Sequence, residues 1–294
     1  MTTDTLLQIL WIFPVYAFLG WCIEVINSAV LSGKLVNRGF LNGSVCPIYG
    51  VGAVVLILLF SPIKDNLLLL YLGAAVAASG VELVVGYLLK KCFHMTWWDY
   101  SYLKFNFHGY ICLRVSLLWG MCGVMLLRVV HPAIHYAVAD IPVSVLKILL
   151  AVFYVYFVVD VVITVLSTLK FNRDLREITR LSELIHKSSD AMADSIGSAT
   201  LQTVDRIRKF DLAEKAKTQE ALVRQAVESS HTKIQAKLKD DAQRLNALLD
   251  YNAKARARLL KALPGIKSLH SGGALSEVKL RLEELAQRKR SGKT

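Results

Sequence analysis

Residues 143–180 read VSVLKILLAVFYVYFVVDVVITVLSTLKFNRDLREITR and change character near residue 169. Before that point the run is almost wholly apolar, with Asp160 deep inside it. Beyond it Lys170, Arg173, Arg176 and Arg180 arrive at helical spacing. About 20 apolar residues span a bilayer as a helix, and basic residues directly after such a run hold that end on the cytosolic side. The stretch joins two chains of different kind. Residues 1–169 hold 9 Lys+Arg and 7 Asp+Glu while residues 170–294 hold 26 and 16, so net charges of +2 and +10 make up the total of +12.

Working outward, the same criterion predicts an all-α membrane domain over 1–169, with helices at about 6–31, 45–61, 67–89, 110–130 and 143–169. The second is the weakest, being short and set between Pro47 and Pro62. Lys34 and Arg38 follow the first helix, and Lys90, Lys91 and Lys104 follow the third. The other connections are nearly free of basic residues. The bias places these two loops and the tail in the cytosol and the N-terminus outside, as five crossings demand. The five cysteines all lie in the apolar half without a CxxC pair, which suits small buried residues rather than a disulfide framework.

Ionisable side chains within a bilayer are costly, and each is a functional candidate. Four residues of the predicted helices stand out: Glu24, Glu82, Asp160 and Arg114. Small and polar residues share their faces, such as Gly20, Trp21 and Asn27 around Glu24, and Ala75, Ser79 and Gly86 around Glu82. Such faces turn toward other helices. One expectation is structural pairing of Arg114 with Glu82 or Asp160. The other is a polar cavity open to the cytosol, with three carboxylates favouring a cation, a proton or a ligand with a cationic group.

The two predicted cytosolic loops are unlike plain linkers. The first carries Asn37-Arg38-Gly39-Phe40 and runs into Pro47-Ile48-Tyr49-Gly50. The second carries Trp97-Trp98-Asp99-Tyr100-Ser101, Asn106 with Gly109, and Ile111-Cys112-Leu113. Trp97, Trp98 and Tyr100 suit interfacial anchors; Asn37, Arg38, Asp99 and Asn106 add donors and acceptors beside the proposed cavity. With Phe18-Leu19-Gly20-Trp21 and Glu24, these motifs resemble the type IV ABC-transporter permease family, often called CmpB-like, over about residues 15–135. Ser44 departs from the family pattern before Pro47. The resemblance implies transport, yet the chain has no G-x-x-x-x-G-K-[ST] phosphate loop, so an ATP-driven mechanism implies a separate ATPase subunit. His131 and His135, four apart with Pro132 between, read as an exposed pair rather than metal ligands. No cofactor and no recognised catalytic motif is expected, and a membrane enzyme acting on a lipid-linked substrate stays open as an alternative.

Between 172 and 263 there is no proline and a single glycine, Gly197, predicting a long uninterrupted cytosolic helix. Its apolar residues recur every eleven, as in Ala216, Val227, Leu238, Leu249 and Leu260, a period suited to a straight coiled coil. Homo-oligomerisation through this seam is the preferred expectation, and a hairpin folded back on itself the other. Residues 264–294 read as a linker and a short amphipathic helix. Lys170 through Arg180 suit anionic lipid, whereas mixed charges and scarce aromatics argue against nucleic acid. A scaffold or sensor acting through this tail is the third functional reading.

Overall fold

The computed structural model describes residues 3–33, 36–139, 141–209, 216–263 and 265–290. Most of these are helical. Helix α1 runs Thr3–Ser32, α2 Pro47–Phe60 with a 3-10 turn Ser61–Ile63, and α3 Leu67–Phe93. Two-residue strands β1 (Met95–Thr96), β2 (Asn106–Phe107) and β3 (Ile111–Cys112) lead into α4, Leu113–Met125. A π-helical turn Leu126–Val130 joins it to α5, His131–Ala139. Then come α6 (Val143–Lys209), α7 (Ala216–Ala255), α8 (Ala257–Ala262), β4 (Lys267–Ser268) and α9 (Gly272–Arg290).

Local chemistry sets these boundaries. Pro47 takes the first turn of α2, where a missing N–H is not needed. The Asn66 side chain accepts the Leu69 N–H at 3.1 Å to cap α3, which ends on His94 at φ 52°. Pro132 has no N–H for the carbonyl one turn back, and the π turn lies directly before it.

Four helices are long and apolar enough to cross a membrane: Leu10–Val30, Leu67–Phe93, Leu113–Val138 and Val143–Asp194. The expected fifth, at 45–61, is the shorter apolar helix Pro47–Ile63. The chain is a membrane protein by this composition.

The chain divides into two compact units, Met1–Asn172 with Arg256–His270, and Arg173–Ala255 with Ser271–Thr294. In the first, Tyr16, Ala53, Leu56, Ile57, Leu70, Ala74 and Leu127 form a buried core. A second cluster seats Leu41 and Val45 of the first loop on Ala17, beside Phe153 and Phe157 of α6. In the second unit α7 packs with α9, where Ala274, Leu275 and Val278 are buried and Arg281 pairs with Asp250 at 2.5 Å. Arg244 of α7 bonds Glu177 of α6.

One tail expectation changes. Helix is not continuous to 263, because Arg256 leaves helical geometry (φ −106°, ψ 8°) between α7 and α8. Alanine-rich, charged sequence on both sides hides that break. Part of the apolar seam, including Leu212 eleven residues before Val223, lies outside the described residues.

Candidate functional site

All three membrane carboxylates meet residues of the two unusual loops. The loops themselves lie at one end of the bundle, where the Phe40 and Trp97 rings stand 5.4 Å apart. Each carboxylate has its own set of donors.

Glu24 accepts the Tyr49 hydroxyl at 2.7 Å, and Arg38 Nε stands 4.0 Å from its other oxygen. Tyr49 reaches it because α1 and α2 approach closely at Gly20, where any Cβ would lie 2.3 Å from Tyr49 Cβ. The Tyr49 ring stands edge-on to Trp119 at 5.8 Å. Trp119 Nε1 donates to Glu82 at 3.3 Å, and the Tyr100 hydroxyl donates to its second oxygen at 2.9 Å. Burial and the nearby Glu82 push the Tyr100 hydroxyl up, so it stays a donor. Glu82 is 6% exposed and has no cationic partner among the described residues.

Asp160 lies at a separate locus. It accepts the Gly43 N–H at 2.8 Å, the Asn42 N–H and Nδ2 at 3.1 Å each, and the Thr164 hydroxyl at 3.3 Å. Gly43 leaves room for this, since a Cβ would fall 1.9 Å from the Tyr156 hydroxyl and displace it.

Other predicted residues shape the loops. Asn37 Oδ1 accepts Trp21 Nε1 at 2.8 Å and the Gly39 N–H at 3.1 Å, and its Nδ2 donates to the Asn42 carbonyl. Asn106 Nδ2 donates to the Leu103 carbonyl at 2.7 Å and its Oδ1 accepts the Gly109 N–H. Trp98 Nε1 donates to the Tyr110 carbonyl at 3.0 Å, while Trp97 packs between Phe40 and Phe93. Arg114 departs from expectation. It is the second residue of α4, exposed, and without hydrogen bond or ion pair among the described residues, so it pairs with neither Glu82 nor Asp160. A helix starting at Leu113 rather than 110 leaves it at the loop end. His131 is not simply exposed: its Nδ1 lies 3.2 Å from the Tyr16 hydroxyl.

Asp99 is drawn away from the carboxylate sites. Its Oδ2 accepts Lys267 Nζ at 2.5 Å and its Oδ1 the Ser101 N–H at 2.9 Å. The bond from Lys267, then those from Ser101, hold it down from 3.8 to about 2. A lowered carboxylate stabilises the fold above its ordinary value and loses that share as pH falls from 3.8 toward about 2. Lys267→Met should therefore raise the Asp99 titration seen by carboxyl carbon NMR. Because solvent screens the pair, the stability change should stay under about 1 kcal/mol; an unmoved titration would mean that Ser101 alone holds Asp99 down.

Tyr49, Trp119, Asn42, Gly43 and the tail residues that reach the loops were not predicted as site residues. Tyr49 lay within a quoted motif; nothing local distinguishes Trp119 from a lipid-facing aromatic.

Residues 11–165 match the family model described as Putative ABC-transporter type IV, more than half of the chain. The chain belongs to this family. No curated protein and no solved structure matches it. The type IV match runs thirty residues past the resemblance read from motifs, which ended near 135, and so takes in Asp160 with Glu24, Glu82 and both loops. Residues 256–270, which lie against those loops, fall outside it.

Proposed function

We propose that this type IV chain is the membrane-spanning subunit of a transporter admitting a cation, or a ligand with a cationic group, from the cytosolic side. The observation that carries the reading is the linked series Glu24–Tyr49–Trp119–Glu82–Tyr100. Two carboxylates bridged by aromatic side chains give alternating charge and π-faces, both attractive to cations. Glu82 is buried with neutral donors alone, and an uncompensated carboxylate in such surroundings favours a proton or a cation.

Topology supports the same reading. Loops at one end need an even number of crossings between them; α3 supplies one, which favours Pro47–Ile63 as the other and five crossings in all. At 1.5 Å per residue those 17 residues reach about 25 Å, close to the bilayer core. Basic residues in both loops favour the cytosol for that end and the outside for the N-terminus. Anionic lipid is the proposed partner of Lys170–Arg180, directly after the apolar part of α6, and a separate ATPase subunit the proposed source of energy for uphill movement alone, downhill uptake needing only this chain. Self-association through the tail has weaker support, since α7 meets both α6 and α9 within one chain. Asp99, held near 2, is a poor general base at neutral pH, so the lipid-enzyme alternative would have to use Glu24 instead.

Liposomes containing the full chain test the proposal through uptake of sodium, potassium and tetramethylammonium. Glu82→Gln and Glu24→Gln should each cut uptake of the transported cation about tenfold or more, with Glu183→Gln, on an exposed helical surface, unchanged. Full uptake by Glu82→Gln would remove the basis of the reading.

A further inference from the structure

Residues 256–270 bring tail side chains against both loops. Arg256 donates to the Ser167 hydroxyl and lies over the Phe171 ring at 5.8 Å. Arg258 donates to the carbonyl of Leu41 at 2.9 Å, and to those of Phe40 and Gly39 at 3.4 Å each. Arg38 returns a bond to the Ala262 carbonyl at 3.3 Å. Farther along, β4 pairs antiparallel with β1, Met95 facing Ser268 and Thr96 facing Lys267, and the Leu269 N–H donates to the His94 carbonyl at 3.0 Å. Leu259, Leu260, Ala262 and Ile266 are buried beneath.

The position of Arg258 carries the most chemistry. The carbonyls it holds belong to the three residues before Asn42 and Gly43, whose N–H groups bind Asp160. Neutral groups supply every hydrogen bond to Asp160, and no cation stands within ion-pair distance of it among the described residues. The Arg258 guanidinium is nonetheless near enough to feel its charge, which offsets part of the cost of burial. A row of carbonyls close to a buried carboxylate is an acceptor set for a guanidinium or ammonium group.

We propose that residues 256–270 are a detachable plug, with Arg258 a tethered stand-in for an organic cation that binds the Gly39–Leu41 carbonyls near Asp160 once the plug leaves. The proposal rests on the transport reading and names the class of its ligand. Two features favour detachment over permanent attachment. The β1–β4 ladder is two residues long, too short to hold by itself. The attached state also leaves Arg256 Nε and Trp97 Nε1 buried without partners, a cost that opening relieves. The segment is bracketed in sequence by α7 and α9, which pack together, so whatever binds those helices can bias the plug.

The test uses the full chain with its five native cysteines replaced by alanine. In one form Ser167→Cys reports access beneath Arg256. Arg258→Glu, and separately Ile266→Asp, should raise its labelling by a charged maleimide about tenfold. In a second form Thr96→Cys and Lys267→Cys face one another in the ladder and form a disulfide that locks the plug. Methylguanidinium uptake into liposomes should fall about tenfold on oxidation and return with dithiothreitol. Labelling unchanged in both Arg258→Glu and Ile266→Asp overturns the plug, as does equal uptake in locked and reduced chains. Absence of uptake in every form sinks the transport reading instead, and the labelling result then decides detachment alone. Uptake of methylguanidinium no faster than that of sodium in the reduced chain overturns the assigned ligand class.

Discussion

Asp160→Ala is expected to lower the midpoint of thermal unfolding more than any other single carboxylate replacement in the membrane unit. Three nitrogen donors of Asn42 and Gly43 and the Thr164 hydroxyl all end on this side chain, so alanine strands several partners at once. Each stranded buried donor costs about 1–3 kcal/mol. Two effects reduce the sum: Asn42 is exposed and water can replace part of its bonding, and removing Asp160 also removes the cost of a buried charge. The balance is a loss of about 2–4 kcal/mol, or on the order of 10 °C in melting temperature. Asp160→Asn keeps one acceptor oxygen and should lose about half as much. The measurement is thermal unfolding of the purified chain in detergent, followed by circular dichroism. If Asp160→Ala melts with the parent, the first loop seats without its carboxylate, and the hydrogen bonds do not hold it.

Gly20→Ala is the second large effect, and it acts through packing. The added methyl would lie 2.3 Å from both Cβ and Cγ of Tyr49. Tyr49 Cβ is fixed to the α2 backbone, so no rotamer change can clear it; the helices must separate. Overpacking of this kind costs about 1–3 kcal/mol. Separation also draws the Tyr49 hydroxyl from Glu24, so cation uptake should fall together with stability. Gly52→Ala is the control in the same helix pair, with nothing within 4 Å of the added methyl. Alanine's helix preference should there leave stability level or raised by up to about 1 kcal/mol. Equal melting temperatures for Gly20→Ala and Gly52→Ala would contradict the close approach of α1 and α2.

Much of the membrane unit is legible in sequence because the bilayer makes simple demands. Runs such as 67–89 must be apolar, must be helical and must be nearly free of charge, so composition alone locates them. The ends are less legible: α3 continues to Phe93, since Lys90 and Lys91 suit a helix C-terminus as well as a loop. Arg114 illustrates the same limit. A shift of a few residues in the helix start decides between an intramembrane charge and an exposed one, and no local pattern marks that start.

Sequence by itself determined that this is a helical membrane protein with a charged helical tail, that Glu24, Glu82 and Asp160 are carboxylates set within its apolar runs, and that its family is the type IV one. Those conclusions need only hydrophobicity, charge and motif, which are properties of neighbouring residues. Tertiary structure alone decided which groups meet the carboxylates, Tyr49 and Trp119 bridging Glu24 to Glu82 and Asn42 and Gly43 reaching Asp160, and which arginine holds the first-loop carbonyls, Arg258 arriving from 217 residues beyond Leu41. Hydrogen bonds extend about 3 Å and do not depend on separation along the chain. Nothing in a local window distinguishes an arginine bound for solvent from one that folds back onto loop carbonyls.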